Sequence, residues 1–231
     1  MSNTEKASQF PKNDRKEIFG WITYDWANSA FYTIVITVLL GPYLTALAQT
    51  DVGKNGVVFD LGFLGSVTAE SLVPNALALS VVSQVCFLPI LGSLADYTSL
   101  KKKMMAFFCY FGVAVSCLLF FITGDNYIWG CVFMILANMS FAATNVFYNA
   151  YLIDITTEDK RDKISSYGFA AGYFAGFIVL VASLLFIQNV NSFGIDTGLA
   201  VRISMLIASL WWGVFAVITF SFVKNRDPEK L

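Results

Sequence analysis

Long apolar runs joined by short polar connections organise this chain. A helix needs about 20 mostly apolar residues to cross the hydrocarbon core of a membrane. Six runs reach that length, at 18–48, 72–95, 104–123, 128–153, 165–187 and 201–223. The pattern therefore predicts an all-α membrane protein with six transmembrane helices. We divide it into an N-terminal arm over 1–17, a helical bundle over 18–223 and a tail over 224–231.

The first run is longer than a single span requires, and its opening turns carry Trp21, Tyr24 and Trp26. Tryptophan and tyrosine are enriched where a membrane meets water. We therefore expect these three rings to lie at the interface as an aromatic belt.

Basic residues are divided unequally between the two sides of the predicted bundle. Thirteen of the fifteen Lys and Arg residues lie in the arm, the second and fourth connections and the tail. Only Lys54 and Arg202 fall on the other side. The positive-inside rule then predicts that both termini are cytoplasmic. The longest external connection, from residue 49 to about 70, is rich in Gly and Asp and is expected to be a plain surface loop.

Composition agrees with a lipid environment and narrows the chemistry. Hydrophobic residues make up 57% of the chain and charged residues 13%, whereas soluble domains average about 25% charged. A net charge of −1 offers no basic field for nucleic acid. Histidine is absent, which removes the commonest general base and metal ligand. We therefore expect no catalytic activity, no cofactor, no metal and no nucleic-acid partner.

The first span carries polar residues on one helical face. Asp25, Asn28 and Tyr32 follow one another at three and four residues, which places them on the same side of a helix. Polar groups inside a membrane are costly and usually line a cavity, so these three are candidates for a substrate translocation pathway. A second interpretation stays open, in which water at the interface satisfies Asp25 and Asn28 bonds a neighbouring helix.

The fourth span repeats this pattern with three amides. Asn138, Asn145 and Asn149 are seven and four residues apart and so share a helical face. Amides offer donors and acceptors without fixed charge, which suits a polar or zwitterionic solute. Helix packing alone is the alternative explanation. At the end of this span, Asp154 is expected to be a solvated helix-end charge.

Two further patterns concern helix contacts and a connection. Gly168, Gly172 and Gly176 repeat every four residues in the fifth span, a stripe typical of closely packed helices. Between the second and third spans, Gly92 and Asp96 precede a cluster of three lysines at 101–103. This segment is either an ordinary positively charged loop or part of a gate.

The segment 92–103 resembles the signature loop of the major facilitator superfamily. Gly92, Asp96, Tyr97 and the lysine cluster match that signature, whereas Ser99 stands where a second glycine is usual. The opening segment 20–32, which reads Gly-Trp-Ile-Thr-Tyr-Asp-Trp-Ala-Asn-Ser-Ala-Phe-Tyr, resembles the first helix of the vacuole-effluxer-like branch. That branch contains a fungal autophagy-related amino-acid effluxer. The segments 147–152, 158–161 and 166–168 are similar to it as well.

The resemblance implies a fold and a partner. Members of the superfamily have two six-helix halves around a central cavity, which the first and fourth helices of each half line. This chain would supply the N-terminal half, built of two inverted three-helix repeats. A missing C-terminal half or a second six-helix chain is therefore the expected partner. By the same resemblance, the residues of the cytoplasmic gate loop are Gly92, Asp96, Lys101 and Lys102.

The expected function is that of a transporter half in a lipid bilayer. We expect secondary active transport of a small polar solute by alternating access, with amino acids as the solute and proton coupling through Asp25. The expected location is a bacterial inner membrane, which the chain crosses several times. A multimeric channel and a non-transporting membrane scaffold are the alternatives. The sequence order Pro74-Asn75-Ala76 is not the Asn-Pro-Ala of water channels, and inward polar stripes argue against a scaffold.

Overall fold

Helices make up most of the chain in the computed structural model, which describes residues 10–60, 62–97 and 99–226 without the side chains of Leu64 and Asp96. The helices and strands, in chain order, are α1 (Arg15–Phe31), a π-helical segment (Tyr32–Leu39), α2 (Leu40–Val52), β1 (Val57–Asp60), β2 (Ser66–Thr68), α3 (Leu72–Tyr97), α4 (Lys101–Leu118), α5 (Tyr127–Ile155), α6 (Glu158–Gln188), α7 (Val190–Phe193) and α8 (Thr197–Phe222).

Six helical segments of the described chain are long and apolar enough to cross a membrane. They are Arg15–Val52, Leu72–Ala95, Lys101–Phe121, Gly124–Ile155, Glu158–Gln188 and Thr197–Phe222. The first combines α1, the π-helical segment and α2 into one continuous span. The prediction of six transmembrane helices is therefore confirmed. The span 72–95 has the predicted ends, and the ends of the other five spans differ from the predicted ones by one to seven residues.

The π-helical segment lies in the middle of the first span. It contains six β-branched residues in succession, from Thr33 to Val38, and such residues are crowded in a regular α-helix. The hydroxyl of Thr37 donates to the carbonyl oxygen of Tyr32 at 3.1 Å, five residues back. Short π-helical segments are rare and often lie next to functional sites.

The six spans pack around α1 and α5. α1 contacts α6 and α8, α5 contacts α3 and α4, and α4 also contacts α8. Trp212 on α8 is fully buried inside the bundle. Its ring stacks on that of Phe31 on α1, with centroids 4.7 Å apart. Gly112 on α4 permits this packing, because a Cβ there would lie 2.9 Å from the Trp212 ring.

Two local predictions were wrong. Trp21 and Tyr24 are only 2% and 0% exposed, so they belong to the core rather than to an interfacial belt. The external connection forms a hairpin instead of a plain loop: β1 and β2 pair antiparallel, with Asp60 opposite Ser66. Its turn exposes Phe63 almost completely, at 97%.

Both ends of the described chain lie at the same end of the bundle, which we call the termini end. The backbone N–H of Asn13 donates at 2.7 Å to the carbonyl oxygen of Ile155, which is the last residue of α5. Arg226 pairs with Glu17 in the first turn of α1 at 2.6 Å. The connection between α3 and α4 also lies at this end, where Lys102 bonds the carbonyl oxygen of Val223 at 2.8 Å.

The orientation of the termini end remains a prediction, and labelling of cysteine variants tests it. Ser66 in the hairpin and Lys103 at the termini end are both exposed. On intact cells, a membrane-impermeant thiol reagent should label Ser66→Cys and not Lys103→Cys, because only the hairpin faces outward. Permeabilised cells should show labelling of both, with the parent chain as background. The reverse pattern on intact cells would contradict the cytoplasmic placement of the termini.

Candidate functional site

Two asparagines join α1 to α5 near the middle of the bundle. The amide Nδ2 of Asn28 donates to Oδ1 of Asn145 at 3.3 Å. The hydroxyl of Ser29 donates to Oδ1 of Asn28, also at 3.3 Å. Asn28 is only 2% exposed, so its amide needs these partners. The bond therefore fixes the register of α1 against α5.

Asp25 lies one helical turn from Asn28, towards the termini end. Its carboxylate oxygen Oδ2 accepts a hydrogen bond from the hydroxyl of Tyr148 on α5 at 2.8 Å. The residue is 9% exposed, and no described Lys or Arg forms an ion pair with it. A buried carboxylate without a cationic partner is unusual inside a membrane span, so Asp25 is a candidate functional residue.

Tyr148 is itself held in place by Trp21. The two rings stack with centroids 4.2 Å apart and planes inclined by 8°. The indole N–H of Trp21 donates to the carbonyl oxygen of Tyr148 at 2.9 Å. Asp25, Asn28, Asn145 and Tyr148 thus form one cluster between α1 and α5, which we call the polar crossing.

The glycines of α6 lie directly against the polar side chains of α1. A Cβ added at Gly168 would lie 2.5 Å from the Asp25 carboxylate, and one at Gly176 would lie 2.9 Å from the hydroxyl of Thr33. Gly172 likewise faces the hydroxyl of Ser29. The bare backbone of α6 therefore makes room for a row of polar groups.

The other pathway candidates do not converge on the polar crossing. Tyr32 is 41% exposed and stacks on Phe141 with centroids 4.6 Å apart, one turn beyond Asn28. Asn149 is exposed. Asn138 is buried and donates to the hydroxyl of Ser80 on α3 at 3.0 Å. The three amides of the fourth span therefore have different surroundings, although they follow one another with helical spacing.

An ion pair joins the predicted gate loop to α5. The Lys101 ammonium lies 2.6 Å from the Asp154 carboxylate at the end of α5. Asp154 is thus paired, rather than a simply solvated charge as expected. Gly92 is half-buried within α3, and the Asp96 side chain lies outside the described part of the chain.

Nearly the whole chain matches one known protein family. The profile of the family described as vacuole effluxer Atg22-like matches residues 13–161 and 154–231. The chain belongs to the vacuole effluxer Atg22-like family. The matched region includes every residue of the polar crossing.

Relatives in this family include bacterial and fungal proteins. The uncharacterized MFS-type transporter YxiO of Bacillus subtilis is 32% identical over 220 residues, which cover 93% of this chain and 48% of YxiO. Autophagy-related protein 22 of Yarrowia lipolytica is 24% identical over 211 residues, covering 67% of this chain and 35% of that protein. The chain therefore spans half or less of the length of these two relatives. No solved structure matches it.

For this Atg22-like chain, sequence reasoning identified Asp25 but not its partners. Tyr148 belongs to the candidate site because it donates to Asp25, and Trp21 because it stacks on Tyr148. The available signal was the position of Tyr148, three residues after Asn145 and therefore on nearly the same face of α5.

Substitution at Gly168 tests the close contact between α6 and Asp25. In Gly168→Ala the methyl group would overlap the Asp25 carboxylate, so α1 and α6 must move apart. Overpacking of this kind costs about 1–3 kcal/mol. We expect a lower apparent unfolding temperature for the purified chain in detergent.

Gly41→Ala is the matched control, because a Cβ at Gly41 would make an ordinary contact at 3.7 Å with Val73. Its unfolding temperature should stay close to that of the parent chain. Equal unfolding temperatures for Gly168→Ala and the parent would contradict the close approach of α6 to Asp25.

Proposed function

We propose that this chain is the N-terminal half of a secondary active transporter that moves a small polar solute by alternating access. The observation that carries the proposal is Asp25, a buried carboxylate bonded to Tyr148 without a described cationic partner. Such a group can gain or lose a proton as its surroundings change, and this links proton movement to solute movement. The names of the relatives support transport as the activity.

Amino acids are the solute class that we propose. An asparagine side chain both donates and accepts hydrogen bonds, so Asn28 and Asn145 can bind the ammonium and the carboxylate of a zwitterion. Neither amide brings a fixed charge that would hold the solute too tightly. Tyr32 and Asn149 are exposed, one helical turn from Asn28 and from Asn145 respectively, and we propose that they line the pathway. Asn138 would then support α5 from behind through Ser80.

A second six-helix unit would complete the transporter. The chain covers 48% of YxiO, and most large apolar side chains of α3 and α6 remain exposed in this half, among them Val82, Val85, Phe169 and Phe177. We propose that these faces meet the second unit and that Gly92, Asp96, Lys101 and Lys102 form a cytoplasmic gate with it. The Lys101–Asp154 pair would hold that loop against α5.

Two inverted three-helix repeats are also part of the proposal. The packing supports this arrangement: α1 contacts α6 and α8 in the way that α5 contacts α3 and α4. Exchange of the first three spans with the last three would preserve these contacts. Inverted repeats of this kind are common in transporters and place the solute site at their interface.

We propose transport rather than catalysis, and a bacterial inner membrane as the location. YxiO from Bacillus subtilis, a bacterial relative, supports the bacterial location. A packed membrane scaffold would not need an unpaired carboxylate at the polar crossing. The order Pro74-Asn75-Ala76, which is not the Asn-Pro-Ala of water channels, argues against a multimeric water channel.

Solute flux in proteoliposomes tests this proposal. The vesicles would hold the chain with its second six-helix unit, either the product of the adjoining coding sequence or a second copy. Radiolabelled neutral amino acids should exchange across the membrane at a rate that depends on pH. Asp25→Asn should remove most of that pH dependence, because the amide cannot take up or release the proton.

Asn126→Asp is a matched control, since Asn126 is exposed in the turn before α5 and lies away from the polar crossing. It should leave the rate and the pH profile unchanged. An Asp25→Asn protein with the parent rate and pH profile would remove Asp25 from the mechanism. Absence of flux for every neutral amino acid tested would contradict the proposed solute class.

A further inference from the structure

A buried ion pair closes the termini end of the bundle. Nη2 of Arg226 lies 2.6 Å from the Glu17 carboxylate, with 7% and 0% of the two side chains exposed. Nε of Arg226 donates to the other carboxylate oxygen at 3.3 Å. The same guanidinium also donates to the carbonyl oxygens of Phe10 and Pro11, at 3.1 and 3.3 Å. We call this pair and the arm segment 10–13 the clasp.

The clasp connects three parts of the chain. Glu17 lies in the first turn of α1, and Arg226 follows the end of α8. Between them, the backbone N–H of Lys224 donates to Glu17 at 3.1 Å. Asn13 of the arm bonds Ile155 at the end of α5. The clasp therefore fixes where α1 begins relative to α5 and to the chain that leaves α8.

A second ion pair, which we call the outer pair, lies beside the inner one. Nζ of Lys224 lies 2.8 Å from the Asp14 carboxylate, with 35% and 26% of the side chains exposed. The hydrogen bond from Lys224 holds the pKa of Asp14 below its usual value, and the backbone N–H of Lys16 adds to this effect. Exposed pairs contribute little and are screened by salt. Loss of a buried partner leaves an uncompensated charge and is far more disruptive.

The inner pair lies in line with the polar crossing. Glu17, Trp21 and Asp25 are each four residues apart, so they share one face of α1. Trp21 stacks on Tyr148, and the same tyrosine donates to Asp25. Any rotation of α1 at Glu17 would move Trp21 and Asp25 together relative to Tyr148.

We propose that Glu17 and Arg226 are positioning residues for Asp25. The closed clasp holds α1 at the depth and rotation that keep the Tyr148 hydroxyl within hydrogen-bond distance of the Asp25 carboxylate. The inference rests on the proposed function, in which Asp25 exchanges a proton during transport. It adds that the chain leaving α8 is tied mechanically to the proton site.

The surroundings of Asp25 make its titration a direct report on this hydrogen bond. The titratable group that faces it from α5 is Tyr148. α6 contributes Gly168, which does not titrate. Beside Asp25 on α1, the hydroxyl of Tyr24 accepts a hydrogen bond from the indole N–H of Trp212 on α8. Tyr24 also interacts with Cys109 of α4. No described Lys or Arg pairs with Asp25, so a change in its titration points to the donor on α5.

Infrared titration of the chain in lipid nanodiscs tests the proposal. The carboxyl band of protonated Asp25 is identified by its absence in Asp25→Asn, and its pH midpoint is measured in each variant. Glu17→Gln opens the inner pair, so the ionised carboxylate of Asp25 loses its donor. We expect the midpoint to move up by about one pH unit, equal to a tenfold change in proton affinity.

Two further variants keep the test independent of folding. Asp14→Asn removes a carboxylate of the outer, exposed pair and should leave the midpoint unchanged. Arg226→Lys keeps the charge of the inner pair but loses the fork that binds Phe10, Pro11 and Glu17 at once. It should give a shift in the same direction and smaller than that of Glu17→Gln. If Glu17→Gln does not fold, the midpoint measured for Arg226→Lys tests the proposal by itself.

The outcomes separate this inference from the proposed function. If Glu17→Gln and Arg226→Lys both keep the pH midpoint of the parent chain, the positioning role of Glu17 and Arg226 is overturned. Proton coupling through Asp25 would be unaffected by that result. An equal shift in Asp14→Asn would overturn it too, because general loosening of the arm would then explain the effect. An Asp25 band that does not titrate in the parent chain would instead contradict proton coupling itself.

Discussion

Hydrogen bonding between α1 and α5 is the interaction on which the rest of the structure depends. Lipid offers no partner for an amide or a carboxylate, so the polar groups of a span must be satisfied within the bundle. Asn28 meets this requirement through Asn145, and Asp25 through Tyr148. These two bonds lie one helical turn apart and fix both the register and the rotation of the two helices.

The neighbouring elements follow from this polar crossing. The row of polar groups on α1 continues to Thr33, and α6 can approach it only where side chains are absent, at Gly168, Gly172 and Gly176. At the termini end, Glu17 extends the same face of α1 into the clasp with Arg226. A single face of α1 therefore contacts α5, α6 and the chain leaving α8.

Hydropathy predicted the six spans well, because the need for about 20 apolar residues is a local property of the sequence. Contact partners are not local. Asn28 and Asn145 are 117 residues apart, and helical spacing alone placed Asn138 beside Asn145 although it bonds α3. Seven residues of helix span about 10 Å, enough to bring a different neighbour. Trp21 was misplaced because the sequence alone does not distinguish a tryptophan buried in the core from one at the membrane interface.

The proposed function requires that the polar crossing borders a water-filled pathway rather than forming a dry helix contact. Labelling rates of two cysteine variants in native membranes test it most directly, because water-soluble thiol reagents attack the thiolate and need water at the site. Asn145→Cys should react quickly, whereas Val217→Cys should not, although Val217 is 53% exposed on α8 and would face lipid. An unreactive cysteine at position 145 in the folded protein would contradict the account.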